Sequence, residues 1–336
     1  MRKTIYIRTL FIMICILFIF AFFSICIGRF SSNPVDVYHA ILGKLGLEPT
    51  ADEGMEVVLF SIRIPRVFAS MMIGAMLSLS GAVYQGVFRN PLVSPDILGV
   101  SAGASVGAAS AIMIGLGIWE RQGFAFLFGL LAVGLSTTIS KLMRNHSNLM
   151  LVLSGIIVGG FLNSLLAIMK FVADEQTELA TIVFWQMGSF AEIDMQEVVA
   201  IGPVLFLGSV LLIGLSWRIN ILSFGEVEAK IVGMNTKQIR GISIACASLL
   251  TASAVSICGT IGWIGLVIPH LARLAVGSDH VKMIPVSALL GAMFMLFVDT
   301  VARALLTVEI PLSILTGIIG APCFAWLLYK QRATVS

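Results

Sequence analysis

The chain has 336 residues, 58% of them hydrophobic and 12% charged, with a formal net charge of +3. Soluble domains run nearer to about a quarter charged, so a water-soluble globule of this length is excluded. The apolar residues also cluster into runs long enough to cross a bilayer as helices, which points to an all-α polytopic membrane protein with about ten transmembrane helices.

Residues 5–28 form the first expected span, preceded by Arg2, Lys3 and Arg8. The run is too long and bulky for the core of a cleaved signal peptide, so it reads as an uncleaved span. An acidic stretch with Glu48, Asp52, Glu53 and Glu56 leads to the second span at 60–88, and Arg63 and Arg66 stand at its mouth in Arg-Ile-Pro-Arg. The turn after Arg89 reads as a helix start, with Ser94 as N-cap, Pro95 in the first helical position and Asp96 complementing the dipole. The third span, 95–116, carries Gly99, Gly103 and Gly107 at every fourth position. Such a stripe lets another helix approach closely.

The fourth and fifth spans are expected at 122–142 and 149–171, with Asn163 inside the fifth and Lys170 near its end. An acidic loop, 172–194, precedes the sixth span at 195–217. The following segment, 218–236, reads as a short amphipathic helix ending in glycine, then a turn. The seventh span is 237–257. The eighth, 263–277, is short and interrupted by Pro269. On the ninth, 283–306, Asp299 and Arg303 are four apart, so they share a face and can pair. The tenth is 312–329.

Lys and Arg fix the expected orientation. Arg89, Lys141, Arg144, Lys237, Arg240 and Lys282 fall on one side together with Lys330 and Arg332, whereas Asp174, Glu175, Glu178, Glu192, Asp194 and Glu309 fall on the other. Both termini are therefore expected inside. Sliding the chain by 178 residues matches Ala69-Ser70 with Ala247-Ser248, Ser78 with Ser256, Gly81 with Gly259, Pro91 with Pro269 and Gly99 with Gly277. The spans concerned run in opposite directions, so this reads as an inverted internal repeat, a common transporter plan. The five cysteines, Cys15, Cys26, Cys246, Cys258 and Cys323, lie in apolar runs and read as small hydrophobes. His39, His146, His270 and His280 are scattered, so no metal site and no cofactor are expected and a membrane enzyme is disfavoured.

Several motifs in order resemble the iron-siderophore, haem and vitamin B12 permease family of ABC importers. They are Arg63-Ile-Pro-Arg66, Gly74-Ala75 with Ser80-Gly81 and Gln85, Arg89-Asn-Pro-Leu, Leu98-Gly99, Trp185 with Gly188-Ser189, and Gly225-Glu226 to Gly233. Further along come Gly265 with Pro269-His270 and Arg273, Asp279-His280, Asp299 with Arg303, and Gly320 with Pro322. The resemblance runs from about residue 57 to 330 and implies a type II importer permease, a single transmembrane domain over residues 1–336.

By that resemblance the protein is no enzyme. It pairs with a second permease subunit, identical or paralogous, with a cytoplasmic ATPase dimer and with an extracytoplasmic solute-binding protein. It is expected in a bacterial inner membrane and binds no nucleic acid. The segment 218–236, through Gly225, Glu226, Glu228, Ala229 and Gly233, is implied to couple to the ATPase. Arg63, Arg66 and Arg303 are implied to dock the binding protein, and the pathway is implied to run along spans five and ten. Ser147 and Asn148 are implied at the gate, with Asn163 a candidate pathway contact. The expected cargo is an iron chelate, with vitamin B12 or molybdate as alternatives. An ion-coupled secondary transporter is the reading from another class, and Asp299 is its candidate carboxylate.

Overall fold

The structure, a computed structural model, describes residues 3–28, 34–44, 46–47, 53–143 and 147–333. Arg2, Glu48, Asp52, Arg144 and His146 lie outside them, as does the side chain of Arg332. The described residues are helical with no strand: α1 (Lys3–Cys26), α2 (Pro34–Lys44), α3 (Glu53–Glu56), a π-helical stretch (Val57–Arg63), α4 (Ile64–Phe88), a 3-10 turn (Pro95–Leu98), α5 (Val100–Met113), α6 (Ile118–Leu142) and α7 (Asn148–Val172). They continue as α8 (Glu178–Met187), α9 (Met195–Phe224), α10 (Glu226–Ile231), α11 (Thr236–Cys258), α12 (Ile264–Val276), α13 (His280–Ala304) and α14 (Leu312–Ala333).

Among the described residues, eight helices are long and apolar enough to cross a membrane. The expected third and eighth spans are instead the short helices α5 and α12. Each begins in the middle of the bundle. Gly99 (φ +81) lies against Gly155 and Gly159, halfway along α7, and Gly265 lies against Gly81 and the Leu77 carbonyl, halfway along α4. The chain therefore enters the membrane as irregular backbone at 89–99 and again at 259–263. Irregular backbone at that depth is tolerated only where protein or an aqueous cavity satisfies it.

Local chemistry explains the breaks. Ser94 precedes the 3-10 turn, with Pro95 at its first position, as expected. Asp96 does something different: its Oδ1 accepts the Ser101 backbone N–H at 2.8 Å, so it caps the start of α5. Two long helices then repeat the theme in opposite senses, α4 with α5 after a break and α11 with α12 after a break. The register of 178 does not carry through, because Gly81 is helical within α4 whereas Gly259 (φ +74) terminates α11.

The core is α4 enclosed by α9, α11, α12 and α13, and most of its side chains are buried. Glycine makes that enclosure possible. Gly74 and Gly291 face each other's backbone where α4 crosses α13, and Gly81 meets the Gly265 carbonyl of α12. The glycine stripe on α5 is spent on two neighbours. Gly103 and Gly107 lie against the Phe128 and Phe124 carbonyls of α6, whereas Gly99 turns to α7. Without a hydrophobic force between helices in lipid, such close van der Waals contact drives their association. Interhelical hydrogen bonds add to it: Tyr84 Oη to Ser248 Oγ at 2.6 Å and Ser80 Oγ to the Ala247 carbonyl at 3.0 Å.

Candidate functional site

Three regions hold the residues that sequence reasoning singled out. At one end of the bundle α9 stops at Gly225, whose φ of 153° is a conformation that a side chain strains. α10 follows and closes on Gly233 (φ 73°), with the Gly233 N–H donating to Lys230 O at 2.9 Å and Met234 N–H to Ala229 O at 3.0 Å. Asn235 then caps α11 through the Gln238 N–H at 3.1 Å. Ala229 is fully buried beneath this hairpin. Glu226 pairs with Arg240 of α11, and that hydrogen bond holds its carboxyl below the usual carboxylate range, helped by Lys230 and Arg89.

α10 exposes bulky apolar side chains alongside Glu228 and Lys230, as an amphipathic helix should. Val227, Ile231 and Val232 are exposed, Ile231 at 80%, next to exposed Phe224. Two exposed apolar side chains on α10, with one more at each flank, mark an interaction surface. Their signal was present in Glu-Val-Glu-Ala-Lys-Ile-Val, where the inward position belongs to alanine and the bulky residues are left outside.

At the opposite end the structure brings Arg63, Arg66 and Arg303 together around a pocket of about 240 Å³ that also touches Gly28 and Glu309. The cluster is an internal ion network and not an exposed cationic platform, for each arginine is no more than 6% exposed. Arg66 Nε donates to Asp299 Oδ1 at 2.7 Å, and its Nη1 to Glu309 Oε1 at 2.9 Å. Arg303 Nε stands 3.3 Å from the other oxygen of Asp299. The arginines also cap α1: Arg63 Nη1 donates to Ile25 O at 2.8 Å, and Arg303 Nη1 to Ile27 O at 2.6 Å, with further bonds to Ser24. Guanidiniums at a helix C-terminus satisfy carbonyls that have no partner within the helix. Asp299, fully buried between two guanidiniums, is a poor candidate for a carboxylate that must take up and release an ion.

Between these ends runs a wall. α7 and α14 flank the two irregular segments, with Gly99 against α7 and the Trp263 indole over Gly317 and Gly320 of α14. Trp263 holds φ at 71°, an uncommon conformation for a bulky residue, and remains partly exposed. Sequence reasoning missed it, for nothing in its neighbours announces that backbone. Most of α7 outside its packed stripe is uncovered, and Asn163 lies on that open face. Ser147 caps α7 by accepting the Met150 N–H at 3.2 Å, and Asn148 Nδ2 donates to Val87 O at 3.2 Å. Both therefore sit where α7 meets the end of α4. Among the described residues no group of three or more His, Cys, Asp or Glu side chains could hold a metal ion.

A membrane bundle with two half-helices that start at mid-depth has the plan of a transporter. Comparison with known proteins agrees. Residues 16–330 match the model of the FecCD transport family. The chain is 39% identical over 335 residues to the molybdate import system permease protein MolB of Haemophilus influenzae, covering 99% of this chain and 98% of that one. It is 39% identical over 278 residues to an iron chelatin transport system permease of Helicobacter pylori, covering 83% and 84%. A solved structure described as an inward-facing conformation of a transporter assigned to the metal-chelate type of ABC transporter superposes with a TM-score of 0.87 at 40% identity, covering 96% of this chain and 99% of that one. The chain belongs to the FecCD transport family and is a multi-pass permease of the ABC-importer kind.

Proposed function

We propose that this chain forms half of the membrane channel of an importer for an iron chelate in a bacterial inner membrane, with both termini and α10 on the cytoplasmic side. The observation that carries this reading is the uncovered face of α7, with α7 and α14 each packed against one of two breaks at mid-depth. A second copy, or a paralogue, closes that face into a pathway, with Asn163 along it and Ser147 and Asn148 at its inner gate. The lack of a metal-ligand cluster along the described chain supports a bulky chelate held by shape over a bare ion.

The segment 218–236 serves as the transmission. Gly225 and Gly233 fix the hairpin, Glu226, Glu228 and Ala229 build it, and Val227 and Ile231 seat in a cleft of an ATPase carried on another chain. The solute-binding protein docks at the opposite end, over the pocket of Arg63, Arg66 and Arg303. Since those side chains are buried and already paired, an acidic partner would engage them only through the pocket mouth beside Glu309. Rocking the two halves about this interface would switch access from one side of the membrane to the other.

A molybdate cargo is the second reading, favoured by the likeness to the H. influenzae permease over nearly the whole of both chains. The experiment is isolation from native membranes followed by uptake in vesicles. Recovery of an ATPase and a binding protein, with ATP-dependent uptake of a labelled iron chelate but not of labelled molybdate, is expected. Uptake of molybdate alone would replace the cargo. Uptake by this chain without any ATPase would overturn the importer reading.

A further inference from the structure

α6 and α11 leave between them an open apolar groove of about 600 Å³, walled by Leu130, Val133, Gly134, Ile244, Cys246 and Leu249. Lys141 lines it at the end that carries α10. There it meets a second, more polar pocket of about 250 Å³, lined by Lys141, Ser140, Lys237 and Arg240 together with the start of α7. On α6 the groove runs from Leu130 to Lys141, a rise of about 16 Å, close to half of a hydrocarbon core about 30 Å thick. Exposed Leu127, Leu131 and Leu135 on the same helix leave this side of the bundle facing lipid.

Two of the three cations at the mouth have no acidic partner among the described residues. Arg240 is answered by Glu226. Among the described residues no acidic group pairs with Lys141 or Lys237. Lys237 stands in the first turn of α11, where the helix dipole disfavours a cation. A basic pocket between helices, above an apolar groove one leaflet deep, matches a lipid with an anionic headgroup. A phosphate placed there would meet Lys141, Lys237, the Ser140 hydroxyl and the positive end of α11 at once.

We infer that the α6–α11 groove is a binding site for one anionic phospholipid, its phosphate held by Lys141 and Lys237 and an acyl chain lying along Gly134 and Cys246. The occupant is a lipid and not free phosphate, because the cations and the apolar groove form one continuous surface.

The test uses the full chain in nanodiscs of phosphatidylglycerol and phosphatidylcholine at equal mole fraction, with retained lipid counted by native mass spectrometry. Cys246, a free thiol in the groove wall, provides a second readout through its labelling by an apolar maleimide. The wild type is expected to retain phosphatidylglycerol preferentially and to protect Cys246. K141Q and K237Q should each weaken the preference about fivefold, and the double variant some 25-fold. Gly134 has open space at its Cβ position, so Gly134→Leu fills the groove without strain and should expel the lipid while the unfolding midpoint stays near wild type. The inference is overturned if headgroup preference survives the lysine substitutions, if glycerol phosphate alone protects Cys246, or if Gly134→Cys crosslinks two copies of the chain.

Discussion

Removing the Asp299 carboxylate with Asp299→Ala decides whether the arginine cluster is structural. The carboxylate is fully buried, 2.7 Å from Arg66 Nε and 3.3 Å from Arg303 Nε. Its loss leaves two buried guanidiniums facing one another. Breaking one partner of a buried pair costs about 3–5 kcal/mol. Here Arg66 keeps Glu309 and Arg303 keeps the carbonyls at the end of α1, so the lower figure applies, about 3 kcal/mol or roughly a hundredfold in the folded-to-unfolded ratio. Reversible unfolding in mixed micelles, followed by tryptophan fluorescence, would measure it. Arg66→Leu alone should also destabilise. The double variant should recover a coupling energy of at least about 1 kcal/mol, because the two residues share one bond. Strictly additive effects, or wild-type stability in Asp299→Ala, would refute the network.

Three other outcomes follow. Replacing Ile231 with Asp should weaken capture of the ATPase about tenfold or more, since one buried aliphatic side chain contributes about 1.5–3 kcal/mol, while insertion into the membrane is unchanged; a pull-down titration reads it. Gly291→Leu, which drives a side chain into the Gly74 carbonyl, should cost at least about 3 kcal/mol and abolish surface expression at 37 °C. The depressed carboxyl of Glu226 gives its contribution above the ordinary value of 4.5, and that contribution is lost as pH falls through the lower folded value. Hydrogen exchange across 226–233 should therefore be flat from pH 7 to 5 after correction for intrinsic rates, and should rise in acid only while Arg240 is present.

Run length made the spans readable, because about twenty apolar residues fix a crossing whatever the partners. At residues 95–116 and 263–277 it found apolar helices, but these prove shorter than a full span, Val100–Met113 and Ile264–Val276, because each starts after irregular backbone. Hydropathy measures compatibility with lipid and is blind to whether the chain coils at Gly99 or at Trp263. The pairing of Asp299 with Arg303 was legible from spacing. Arg66 as its second partner was not, because 233 residues separate Arg66 from Asp299. The burial of all three arginines was hidden for the same reason, since Ser24, Ile25 and Ile27 lie on another helix. Gly225 and Gly233 marked the turns around α10, and the alanine at 229 between bulkier neighbours marked its inward face.

The arginine network also constrains how the chain is made. A ribosome adds about 5–20 residues each second, so Arg66 enters the membrane some ten to fifty seconds before Asp299 exists to neutralise it. During that interval its guanidinium has no buried carboxylate to pair with, and a snorkelling position at the headgroups is the one that keeps it solvated. α13 brings both the missing carboxylate, Asp299, and a second guanidinium for the end of α1, Arg303. A chain halted after α9 would lack both Asp299 and Arg303, leaving Arg66 without its buried carboxylate and the end of α1 held by Arg63 alone. Membrane quality control could read both as marks of an unfinished product.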